Sequence, residues 1–383
     1  MLPRKNSSLI TGLLAAGLIS VSLIIGLIVV FGDWTVESVD PGTMVEPDEI
    51  PGTIVFGEYD GEQTISRIDA DGTNHQELAS RSVLRADTPG FAASPDGQSI
   101  AWFDADESAE SSPASLVISS TDGSESEVVD IPPVYGTLRL DFRLSWSADG
   151  QYLAFVHQDP DGQQMHIDIV DPETGEVRSL DSSNSGNLGH PVWHPDDRVL
   201  AFSQIDEDGL HHIMLYDLES DETRQLVEDE EIATQPTWAP NGAAIVYVGS
   251  GGDPGRRTLH LVNVESGNLA IVNEYDRTDY LPDWSARGQI ALMSDEADGN
   301  YELLVVDPDG SELTILTEDY DWAIFNPRWD EIGRYLTFTS QHADEDRWRV
   351  NVYDIDEHKL LTVYESENPL YFAHWQPDSD DTE

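Results

Sequence analysis

Residues 144–155 read LSWSADGQYLAF. The stretch returns as PVWHPDDRVLAF at 191–202, PTWAPNGAAIVY at 236–247, PDWSARGQIAL at 282–292 and PRWDEIGRYLTF at 327–338. FAASPDGQSIAWF at 91–103 is a variant with alanine in the tryptophan position, and AHWQPD at 373–378 opens a last copy. The aligned positions are Ala93, Trp146, Trp193, Trp238, Trp284, Trp329 and Trp375, spaced by 53, 47, 45, 46, 45 and 46 residues. Self-similarity at such a period marks a repeat architecture and is read before any other motif.

Every copy continues in the same way. After LSWSADG comes an apolar run, Tyr152 to Val156, then the turn Asp159-Pro-Asp-Gly162. The alternating segment MHIDIV at 165–170 follows, then the turn Asp171-Pro-Glu-Thr-Gly175 and a short run at 177–180. Runs of period two bounded by turn residues are strands. With the strand that carries the tryptophan, each unit makes one four-stranded antiparallel sheet, which is a β-propeller blade. The last copy stops at Glu383, far short of a unit, whereas Gly52 starts in mid-unit: GTIVFGEY matches a second strand and TISRIDADGTNHQEL a third and fourth. One blade is therefore expected to combine both ends of the chain, which closes the ring and removes free sheet edges. The expected fold is all-β, a seven-bladed propeller over residues 52–383.

The signature resembles the WD-repeat-like propeller found in the C-terminal part of the TolB translocation protein and related periplasmic proteins. That family's mark is W-S-P-D-G followed by an I-A-F strand. Here it stands as Ser94-Pro-Asp-Gly97 with Ile100-Ala101-Trp102, and as Trp146-Ser-Ala-Asp-Gly150 with Leu153-Ala154-Phe155. The resemblance covers about residues 52–383 and implies the propeller fold. Two features depart from TolB: it has an α/β domain ahead of its propeller, and its propeller has six blades.

Ahead of the repeats, Leu9 to Phe31 is LITGLLAAGLISVSLIIGLIVVF, 23 residues without a charge. At 1.5 Å per residue a helix of this length spans roughly 34 Å, against a hydrocarbon core of about 30 Å. Arg4 and Lys5 precede it and no base follows closely, which keeps the N-terminus in the cytoplasm. We expect a cytoplasmic stub at 1–8, an uncleaved signal-anchor helix at 9–31, and an acidic, proline-rich tether at 32–51. The tether carries six acids and no base. The propeller is expected outside the cytoplasm, at the cell membrane, as a monomeric ring.

The 383 residues contain 74 Asp and Glu against 19 Lys and Arg, a net charge of −55, and no cysteine. This balance repels phosphate backbones and excludes nucleic acid as a partner. The missing thiols exclude disulfides, cysteine nucleophiles and cysteine metal sites. With 39% hydrophobic residues the chain still has the means to build a core. The anchor contributes +2 and the tether −6, leaving −51 on residues 52–383. Acids spread over a whole surface with hardly any lysine resemble adaptation to high salt.

The repeated tryptophans, Trp146, Trp193, Trp238, Trp284, Trp329 and Trp375, are expected to pack between blades. Leu144, Pro191, Pro236, Pro282 and Pro327 stand two residues earlier, on the same face by period two. The intervening positions are mostly polar. The innermost strand of a blade borders the central channel, so Arg143, His190, Gln235, Asp283, Asn326, Arg328 and His374 are the candidate ligand-binding residues of the channel mouth. The bland reading has them bond neighbouring blades.

Asp69–Gly72, Asp159–Gly162, Asp206–Gly209, Asp295–Asn300 and Asp307–Gly310 look like pieces of calcium loops. None has the twelve-residue ligand spacing, and each falls where a hairpin turn is needed. No cofactor or metal is predicted. His211 and His212 alternate on one strand and so point apart. No G-x-S-x-G, H-E-x-x-H or P-loop motif occurs. The leading expectation is a non-catalytic module that binds a protein, peptide or glycan. The alternative is a glycoside hydrolase or polysaccharide lyase with carboxylates at the channel mouth.

Overall fold

A computed structural model describes residues 50–82, 90–105, 114–131, 144–158, 164–180, 186–196, 198–250, 256–273, 277–295, 301–317, 322–342 and 347–376. The predicted anchor helix and nearly all of the tether lie outside these residues, as do Arg143 and the Asp159–Gly162 turn. Among the described residues no helix is long and apolar enough to cross a membrane.

Seven four-stranded sheets form, and all their strand pairings are antiparallel. Blade 1 joins the last strand, Leu370–Gln376, to Thr53–Tyr59, Glu62–Asp69 and Gln76–Ser82. Thr53 pairs with Gln376 and Glu58 with Leu370, so the ring is closed by strands from both ends of the chain. Blades 2 to 7 each run outward in sequence order. Their inner strands are Phe91–Ala93, Ser145–Trp146, Asn187–Trp193, Ala233–Trp238, Thr278–Trp284 and Trp322–Trp329. The seven-bladed reading and the composite blade agree with this topology.

Apolar residues cluster between blades, as expected of sheets whose two faces each meet a neighbour. Trp193 packs with Ala154, Val156 and Ile169 of blade 3, and Trp238 with Ala201, Ile213 and Leu215 of blade 4. Four of the indoles also do something that periodicity does not reveal. Trp146 Nε1 donates to the carbonyl of Ala92, Trp193 to Ser145, Trp238 to Val192 and Trp329 to Asp283, at 3.0–3.1 Å. The acceptor is always the residue just before the signature position of the preceding blade. Two tryptophans depart from this stitch. Trp284 donates to Gly288 in its own shortened turn, and Trp375 Nε1 is buried without a hydrogen-bond partner.

The Ser-x-Asp-Gly signature is explained by its turn. Ser147 Oγ donates to Asp149 and accepts from Tyr152 N, while Asp149 also accepts from Gln151 N. Ser94 and Asp96 repeat these bonds with Ser99 and Gln98. The Asp-Gly segments at 69–72, 206–209 and 307–310 are hairpin turns, with Gly72, Gly209 and Gly310 donating to Asp69, Asp206 and Asp307. Among the described residues no three His, Asp or Glu side chains are placed to share a metal ion.

One expectation needs correction. The inner strands do not keep strict period two. Their pairing shifts register between Gly189 and Val192, Thr234 and Thr237, Tyr280 and Asp283, and Phe325 and Arg328. Pro191, Pro236, Pro282 and Pro327 sit in these bulges because proline has no N–H to give the ladder. The residue before each proline, His190, Gln235, Leu281 and Asn326, has φ between 51° and 53°. Side chains three residues before the tryptophan are therefore re-aimed.

Candidate functional site

The seven inner strands surround a cavity of about 290 Å³. The residue before each signature position faces it in all seven blades: Ala92, Ser145, Val192, Thr237, Asp283, Arg328 and His374. This ring is the structural counterpart of the predicted channel mouth. Phe91, His190 and Phe372 complete much of the wall.

Of the predicted site residues, His190, Asp283, Arg328 and His374 line this cavity. Gln235 and Asn326 are not among its lining residues. Gln235 Oε1 accepts from Leu281 N of the next blade at 2.7 Å, and Asn326 N contacts Met293 Sδ at 3.4 Å. The position just before each signature position faces the cavity in every blade, whereas of the equivalent bulge residues three positions before the tryptophan His190 lines the cavity and Gln235 and Asn326 do not.

His190 has a double role. Its Nδ1 lies 3.0 Å from Ser203 Oγ and 3.1 Å from Thr234 Oγ1 of the neighbouring blade. Ser203 Oγ donates to Gly189 O, so it is left to accept from His190. The imidazole thus ties two blades while its ring lines the cavity.

Asp283 and Arg328 face each other across blades 6 and 7. Arg328 Nη1 lies 3.4 Å from Asp283 Oδ1, and Asp283 Oδ2 accepts from Trp329 N at 2.8 Å. The carboxylate is therefore engaged by the scaffold. The guanidinium is not: Nη1 also meets Pro327 O at 3.3 Å, but Nε and Nη2 have no hydrogen-bond partner among the described residues. Its side chain is only 15% exposed and lines the cavity. On blades 1 and 2, which follow blade 7 around the ring, His374 meets Phe91 edge-on at 5.6 Å, and Phe91 meets Phe372 at 6.4 Å. The cavity carries one carboxylate and one arginine on blades 6 and 7 and is aromatic on blades 1 and 2.

Periodicity alone missed the apolar wall formed by Ala92, Phe91 and Phe372. A visible signal for it was the loss of tryptophan at Ala93. His211 and His212 part as expected: His212 is buried and bonded to Asp206 at 3.0 Å and Gln225 at 2.7 Å, outside this site.

Comparison with known proteins gives concordant results. The Oligogalacturonide lyase of Pectobacterium atrosepticum is 26% identical over 168 residues, 40% of this chain and 41% of that protein. The chain spans less than half the length of the curated relatives it matches. Two solved structures share the fold. A putative TolB from Agrobacterium tumefaciens has a TM-score of 0.52 and 18% identity, over 70% of this chain and 99% of that one. The β-propeller domain of the Trilobed protease from Pyrococcus furiosus has a TM-score of 0.61 and 16% identity, over 82% and 95%. That domain is described as having an open velcro topology; here Leu370–Gln376 and Thr53–Tyr59 pair. The family model for the TolB beta-propeller domain matches residues 105–377, well over half of the sequence, and the chain belongs to that family.

Proposed function

We propose that this protein is a membrane-tethered, extracytoplasmic binding module that holds a peptide segment of a partner protein at the mouth of its propeller channel. The observation that carries the reading is the cavity itself. At about 290 Å³ it is at the lower end of ligand sites and has room for one or two residues of a chain. Its one lining carboxylate among the described residues, Asp283, is bonded to Trp329 N and Arg328. Hydrolysis of glycosides by paired carboxylates needs a second one nearby. The tether and its anchor at 9–31 rest on the charge-free run and on Arg4 and Lys5 ahead of it.

A second reading, a polysaccharide lyase or glycoside hydrolase, is favoured by the 26% identity to an oligogalacturonide lyase. The two separate by photo-crosslinking in cells. A benzoylphenylalanine at Ser145 or Thr237 is expected to capture one discrete protein. The same probe at Leu269, 53% exposed on an outer strand, is expected not to capture it. Equal labelling from all three sites would reject a channel-mouth partner. Glycan turnover that disappears in D283N would establish the second reading. Resistance of the protein to carbonate extraction checks the anchor; release into the soluble fraction would contradict it.

A further inference from the structure

Ala93 is the one signature position of seven without an indole. Where the stitch forms, the indole lies against the inner strand of the preceding blade. For blade 2 that strand is Leu370–Gln376, and its Phe372, His374 and Trp375 all line the channel cavity. So do Gly90, Phe91, Ala92, Ala93 and Pro95 of blade 2 itself. The signature indoles on either side of the gap, Trp146 and Trp375, are half-buried, whereas Trp193, Trp238, Trp284 and Trp329 are all buried. The cavity thus extends sideways into the place an indole occupies in the other blades. In compensation, Gln376 Nε2 donates to Gly97 O across the same interface.

We infer that this notch is the specificity pocket of the channel site. It takes an aromatic or large aliphatic side chain of the bound peptide, and an adjacent carboxylate of that peptide reaches Arg328. This rests on the channel-mouth reading above and adds the chemistry of the ligand. Phe91 and Phe372 face this interface, and Trp146 and Trp375 line the cavity beside it, which favours an apolar, preferably planar group. Arg328 is the one arginine among the described lining residues, and its Nε and Nη2, without a hydrogen-bond partner among the described residues, form the edge that pairs with a carboxylate through two parallel bonds. A net charge of −51 on residues 52–383 makes an unfocused attraction for acids impossible. Recognition of a carboxylate therefore has to come from this local donor set.

The test is calorimetric titration of the full-length protein in detergent with acetyl-Phe-Glu-amide. Acetyl-Ala-Glu-amide, acetyl-Phe-Gln-amide and digalacturonate are the comparators. Acetyl-Phe-Glu-amide is expected to bind at least about tenfold tighter than either altered peptide, the scale of one buried phenyl group or one charged hydrogen-bonded pair. Ala93→Trp fills the notch and should erase the advantage of Phe over Ala. Arg328→Gln should erase that of Glu over Gln. Ala93→Leu, a smaller filling, guards against misfolding and should give an intermediate loss, with melting curves confirming the fold of each variant. Folded Ala93→Trp and Ala93→Leu that bind the peptide as wild type does would overturn the proposal. Digalacturonate binding tighter than every peptide would also overturn it. If Thr237 still crosslinks a partner in the Ala93→Trp background, the notch fails and the channel reading stands. If no channel position crosslinks at all, both fail.

Discussion

Trp193 and Trp375 occupy the same place in the repeat and should respond differently to the same change. Phenylalanine keeps most of the packing and removes the N–H. For Trp193 it deletes the bond to Ser145 O and should cost about 1 kcal/mol. For Trp375, whose Nε1 has no partner, the cost should be close to zero, because a buried unpaired donor is removed. Urea melts of the two variants check this; equal losses would contradict the stitch. Asp330 offers a second test. It stands where Ser94, Ser147 and Ser285 stand in other blades, and accepts from Arg334 N and Tyr335 N. Burial pushes its carboxyl up to about 6, against the pull of those N–H donors and of Arg287. A carboxyl raised in the folded state binds its proton more tightly there than in the unfolded chain. Its stabilising contribution is therefore present below pH 4 and lost as pH rises through about 6. Asp330→Ser keeps an acceptor without a charge. The melting temperature of D330S relative to wild type should climb between pH 5 and pH 7; a constant difference would contradict the assignment.

Strands and turns were legible because their causes are local. Ser-x-Asp-Gly bonds to itself, and D-G ends a hairpin wherever it falls. The bulge was hidden, although its cause was printed in the sequence. By period two Pro191, Pro236, Pro282 and Pro327 count as apolar members of a buried face, but their lack of an N–H interrupts the ladder. His190 and Gln235 are equivalent in period and in bulge, so what separates them is their neighbours: Gln235 is taken up by Leu281 N of the next blade, while the His190 ring lines the channel. The closing seam was foreseen as a pairing of termini but not in its chemistry. Glu58 accepts from Tyr364 Oη at 3.1 Å, from Asn368 Nδ2 at 2.9 Å and from Ser366 Oγ, while Tyr371 Oη donates to Glu58 O at 3.0 Å. The tyrosine hydroxyl of residue 364 is pushed up to about 12 by burial and by this carboxylate. Glu58→Ala should cost about 2 kcal/mol and expose the last strand. Gly57→Ala should act in the same direction, since a Cβ would fall 2.1 Å from the Tyr371 ring. Limited proteolysis should then cut first near Leu370–Gln376; an unchanged cleavage pattern would argue against a seam that depends on these contacts.

The ring as a whole is a strongly anionic body, and several of its few cations bridge neighbouring blades. Arg67 reaches Thr121 O, Arg178 reaches Leu218 O and Arg224 reaches Val264 O, each in the next blade. Arg198 pairs with Asp149 at 2.9 Å, Arg287 with Asp356 at 2.8 Å and Arg328 with Asp283, again between neighbours. Arg328 combines such a brace with the wall of the channel cavity. Repulsion among the remaining acids acts over about 8 Å at physiological salt and about 3 Å at 1 M. The melting temperature should therefore rise between dilute buffer and molar potassium chloride, and an unmoved melt would remove the argument for a high-salt habitat. Blade number and closure could be read from spacing because a repeat states its fold many times. The site could not, because a ring of seven different residues appears once and only the closed ring brings it together. The most direct check of its function is mass spectrometry of the partner identified by crosslinking at Thr237, recovered after incubation with the wild-type protein, which carries no crosslinker. The account predicts an intact chain, held one to one and lost with Arg328→Gln. A partner recovered cleaved, with cleavage abolished by D283N, would contradict it.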